Sequence, residues 1–86
     1  MDEKKKKPEV SYPCQWTYAI IGQDEEDLLL CIGEILRGRK HTATFARQSP
    51  QKKYTALHID ILVESQRDRD ELFTAFRDHP KVKFVL

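Results

Sequence analysis

Residues 15–22, QWTYAIIG, constrain the rest of the chain most, because they run with a two-residue period and stop at a glycine just ahead of four consecutive acids. In an extended strand Trp16, Tyr18 and Ile20 share one side and Thr17 and Ala19 the other, so a core forms on the first side. Gly22 breaks the run, and Asp24, Glu25, Glu26 and Asp27 then open a helix, placing negative charge at its positive end. Asp24 is positioned as the cap whose side chain accepts backbone N–H bonds. Leu28, Cys31, Ile32, Ile35 and Leu36 recur at spacings of three and four, a stripe that faces a sheet. Arg37, Gly38, Arg39 and Lys40 close this helix with a left-handed glycine and cations at its negative end.

The remaining elements follow from the same periodicities. Residues 41–47, HTATFAR, form a second strand with Ala43 and Phe45 on one side and Thr42, Thr44 and Ala46 on the other. A polar loop over residues 48–53 breaks at Pro50 and joins an antiparallel hairpin. Residues 54–64 make the strongest strand, with Leu57, Ile59, Ile61 and Val63 alternating against Ala56, His58, Asp60 and Leu62. Ser65 caps a second helix, with Asp68 returning a bond to the cap backbone, and Leu72, Phe73, Ala75 and Phe76 form its apolar face. That helix stops by His79, ahead of Pro80. In residues 81–86 the alternation sets Val82, Phe84 and Leu86 against Lys83 and Val85.

Strand, helix, strand, strand, helix, strand is the split βαβ order of a ferredoxin-like α+β fold. Right-handed crossovers then place both helices on one face of a four-stranded antiparallel sheet, with the first and third strands central. The opposite face is expected to show Thr17, Ala19, Ile21, Ala56, His58, Asp60, Leu62, Lys83 and Val85. Ile21, Leu62 and Val85 make it half apolar, which suits pairing with a second chain.

At 86 residues the chain has room for one core, since a domain of this size buries roughly 60% of its unfolded surface. One domain over residues 11–86, preceded by a disordered lysine-rich tail over 1–10, is the expected organisation. The charged start has no apolar stretch behind it to make a signal peptide, and no run approaches a membrane span, so the cytoplasm is the expected compartment. Cys14 and Cys31 are expected as free thiols there. The net charge is +1, with four lysines of the tail set against Asp2, Glu3 and Glu9. A body without a basic face gives no support to nucleic-acid or membrane binding.

The pair Tyr12-Pro13, the run Trp16-Thr17-Tyr18, the strand end Ile21-Gly22-Gln23, the alternating Ile59 and Ile61 after Tyr54 and the terminal Phe84-Val85-Leu86 resemble the small YbeD-like bacterial proteins of unknown function. The resemblance covers about residues 12–86. That family is similar in architecture to the regulatory ACT domains, which implies an ACT-like, allosteric or ligand-sensing role by analogy. ACT domains commonly seat an amino acid near a glycine after the first strand. Gly22 is the position that corresponds, making Gly22, Gln23 and Asp24 the candidate ligand-binding residues; the Asp and Pro expected just before that glycine are absent.

The remaining chemistry is sparse. His58 and Asp60 lie at i, i+2 on one strand face, where an exposed ion pair outweighs a general base because a base also needs a pocket. No spacing of His41, His79, Cys14 and Cys31 makes a metal site, and Gly22, Gly33 and Gly38 form no phosphate-cradling series, so neither catalytic residues, metal nor cofactor is expected. The positions that stack bases in RNA-binding relatives of this fold carry Thr17, Ala19, His58 and Asp60, while Arg37, Arg39, Lys40, Lys52 and Lys53 form solvated basic loops. The leading expectation is a non-enzymatic regulatory or interaction module that self-associates or docks a protein through the sheet face, at Ile21, His58, Asp60, Leu62 and Val85, or through an edge strand. The alternatives are a small-metabolite sensor near Gly22 and, more weakly, nucleic-acid contact through the basic tail.

Overall fold

The computed structural model describes residues 11–51 and 53–86; the tail expected over residues 1–10 lies outside them, as does Lys52. Six elements follow in order: β1 (Cys14–Gly22), α1 (Glu25–Leu36), β2 (His41–Gln48), β3 (Thr55–Val63), α2 (Gln66–Asp78) and β4 (Val82–Val85). The strands form one antiparallel sheet in the order β2-β3-β1-β4, with both helices against one face, which is the ferredoxin-like α+β arrangement expected from the sequence.

β1 and β3 pair without interruption from Cys14↔Val63 to Gly22↔Thr55. Burial along β3 alternates at every residue, so Leu57, Ile59, Ile61 and Val63 lie under the helices beside Tyr18 and Ile20. α1 adds Leu28, Cys31, Ile32 and Leu36, and α2 adds Leu72 and Phe76. Phe76 packs on Tyr18 with ring centroids 5.6 Å apart, and the Tyr18 hydroxyl donates to the Arg69 carbonyl at 2.6 Å. Burial, reinforced by nearby Asp68, pushes that phenol up to about 12, so it remains a donor. Trp16 lies on the same side but stays half-buried, its ring covered by the Arg69 guanidinium at 4.4 Å. Cys14 and Cys31 are free thiols.

The helix ends differ from expectation in detail. Ser65 caps α2 by accepting from the Asp68 N–H at 3.0 Å, but the Asp68 carboxylate returns its bond to the Glu64 N–H, one residue before the cap. Asp24 stands at the start of α1 with extended backbone, yet its side chain makes no cap hydrogen bond; only its carbonyl is engaged, by Leu28 N–H at 3.1 Å. α1 closes through Arg37 and Gly38, both at positive φ, and Arg37 Nε donates back to the Glu34 carbonyl at 3.2 Å. Arg39 is not a solvated loop charge: it grips Asp68 with two hydrogen bonds, 2.9 and 2.8 Å, and donates to the Leu62 carbonyl at 2.9 Å. The bidentate geometry binds the exit of α1 to the first turn of α2.

The edge strands depart from a strict alternation. β4 carries one extra residue, Lys83, between Ile21↔Phe84 and Gly22↔Val82. The bulge turns Val82 and Val85, three positions apart, both into the core at 8% exposure. Val85 is therefore a core residue, a correction to its expected place on the opposite face, and Phe84 and Leu86 take that face instead, at 61% and 76% exposure. The strand continues past its last assigned residue, because Leu86 exchanges hydrogen bonds of 2.8 and 3.1 Å with Ala19. β2 carries the matching irregularity at Ala46, between Phe45↔Leu57 and Arg47↔Ala56, which sets Arg47 on the side of Thr42 and Thr44, where an unbroken alternation would put it with Ala43 and Phe45.

Candidate interaction face

The helix-free side of the sheet divides into two ends. At the first, Thr17 donates its hydroxyl to the Asp60 carboxylate, and Thr42 stands opposite Asp60 on β2. Leu62, 42% exposed, closes a shallow cavity of about 360 Å³ with Gln15, Lys40, His41 and Thr42. Asp60 is thus engaged by Thr17, and among the described residues no hydrogen bond or ion pair joins it to His58. The side chains at this end are mostly polar.

The second end is apolar and built by register. Arg47 faces Ala56, Ala56 faces Ile21, and Ile21 faces Phe84, so one row crosses all four strands from an arginine to a phenylalanine. Neighbouring strands lie about 4.8 Å apart, so the row is roughly 14 Å wide. Ala56 leaves a dip in its middle because its side chain is a single methyl group. The hairpin walls this dip: Ser49 Oγ accepts from Lys53 N–H at 2.8 Å and Tyr54 N–H at 3.2 Å, and Ser49 N–H donates to the Tyr54 carbonyl at 2.9 Å. Pro50 and Tyr54 are held beside the row, and the open depression between them measures about 320 Å³. Among the described residues no acid lines it, and Arg47 has no side-chain hydrogen-bond or ion-pair partner.

Of the residues singled out in the sequence, Ile21 belongs to the apolar end, Asp60 and Leu62 to the polar end, and His58 lies exposed on β3 between them. Gly22, Gln23 and Asp24 lie at the turn from β1 into α1. The absent side chain of Gly22 is explained by packing, since a Cβ there would stand 2.5 Å from the Lys81 carbonyl oxygen and 2.7 Å from Leu28 Cδ2. Gln23 and Asp24 are exposed, while Asp27 pairs with Lys81 at 3.6 Å and ties α1 to the start of β4. Sequence reasoning missed Arg47 and Phe84, because a two-residue period carries no sign of a bulge. Glu34 and His79 form another contact that spacing did not reveal, 2.8 Å apart and joining the two helices.

Among the described residues there is no group of three His, Cys, Asp or Glu side chains placed to hold a metal ion, and no helix is long and apolar enough to cross a membrane. Fold and face together define a small ferredoxin-like α+β module with one side of its sheet free of helices among the described residues. A family model described as a protein of unknown function, DUF493, matches residues 7–86, and the chain belongs to that family. An uncharacterized protein of Campylobacter jejuni is 30% identical over 82 residues, spanning 95% of this chain and 92% of its own length. A UPF0250 protein of Paraburkholderia phymatum is 26% identical over 81 residues, spanning 90% of this chain and 91% of its own. The solution structure of protein HP0495 from Helicobacter pylori superposes with a TM-score of 0.81 at 25% identity, covering all of this chain and 94% of that one. These relatives bear out the resemblance to YbeD-like proteins, and HP0495 agrees with the ferredoxin-like α+β fold expected from the order of elements.

Proposed function

We propose that this chain is a non-enzymatic protein-interaction module that docks another polypeptide against the apolar end of its uncovered sheet face. The observation that carries the reading is the row Ala56, Ile21 and Phe84, flanked by exposed Tyr54 and Leu86, on a side of the sheet that neither helix covers. Contiguous apolar surface of this kind loses water favourably when a partner covers it. General acid–base work needs titratable groups converging on a pocket, whereas this cavity holds only Arg47 and the Tyr54 phenol.

The test is selection of binders from a displayed random-peptide library, followed by titration of a synthetic binder into isotopically labelled protein. Amide shifts centred on Ile21, Ala56 and Phe84, with binding lost in Phe84→Lys, are the expected result. A library that yields no binder, or binders whose shifts map to α1 and α2, overturns the reading.

A further inference from the structure

Resting on that docking reading, we propose that the row selects partners by charge as well as by apolar surface: it takes an extended segment that places a carboxylate on Arg47 and an apolar side chain beside Phe84. The β2 bulge delivers a guanidinium to a face whose other residues in the row are Ala56, Ile21 and Phe84. A guanidinium matches a carboxylate with two parallel hydrogen bonds, and the match strengthens where apolar neighbours exclude water. A second copy of the chain is the poorer occupant. Packed on itself about a two-fold axis, this patch offers Arg47 only its own lining, which among the described residues holds no acid. A free amino acid is too short to reach from Arg47 to Phe84, which stand three strand spacings, roughly 14 Å, apart. That distance equals about four residues of extended chain, which sets the separation of the two anchors in the partner.

The experiment repeats the peptide selection on the wild type and on Arg47→Glu, whose exposed position leaves the fold intact, as matching amide spectra will verify. Wild-type binders are expected to carry Asp or Glu about four residues from an aromatic or aliphatic side chain. Arg47→Glu is expected to weaken a synthetic binder about tenfold or more, with Arg47→Lys intermediate. Binders without an acid, or affinity unmoved by Arg47→Glu, overturn the charge assignment and leave apolar docking standing. A selection that returns nothing from the wild type overturns both.

Discussion

β3 and β4 both pair with β1 and both feed the same core, yet β3 buries every second residue over its length and β4 buries two residues three apart. The difference lies in their neighbours. β3 is hydrogen-bonded on both sides, so one extra residue would break two ladders and turn its apolar set outward. β4 and β2 each have a partner on one side only, and each accommodates an inserted residue, Lys83 or Ala46. The centre of the sheet therefore carries stability, and its edges are where the bulges turn Arg47 and Phe84 onto the helix-free face.

Four substitutions break or sharpen that contrast. Ile59→Ala, at a fully buried centre of β3, is expected to cost about 2–5 kcal/mol in urea unfolding; a loss below about 1 kcal/mol would mean that the central alternation is not what holds the fold. Gly22→Ala forces a methyl group against the Lys81 carbonyl and Leu28 and should cost about 1–3 kcal/mol, visible as a lowered melting temperature. Asp68→Asn is expected to cost about 1 kcal/mol at pH 7. The hydrogen bond from Arg39, foremost, holds the Asp68 carboxyl below its ordinary value in the folded chain. Its contribution is therefore complete above the unfolded value near pH 4 and fades as pH falls through the folded one, so wild-type and variant stabilities should converge in acid. Phe84→Ala, at an exposed edge, should shift stability by no more than about 0.5 kcal/mol. A larger loss would show that Phe84 supports the core and is not free for a partner.

The same contrast governs what could be read from the residues. The order of elements, the central strands, the Ser65 cap and the apolar stripes of both helices were all legible, because each follows from a period or a short-range motif. Residues 81–86 misled because VKFVL admits two registers, and only pairing with Ile20 and Ile21 selects the one that buries Val85. Arg47 was hidden for the same reason. Arg39 looked like one cation among several, since its partner Asp68 lies 29 positions away. The open face was half found: Ile21 and Leu62 were placed on it by alternation, while its aromatic end depends on two insertions at the sheet margins.

Cys31 sits completely buried on α1, and its thiol is pushed up to about 11, by burial first and by the Glu34 charge second. At neutral pH the folded chain therefore keeps this group as the unreactive thiol. Alkylating reagents will modify it chiefly when the chain opens, whereas Cys14, only half-buried, offers a faster-reacting internal reference. The molecule so contains a built-in gauge of its own breathing: the ratio of the two labelling rates reports how often the helix layer lifts from the sheet, with no engineered reporter residue.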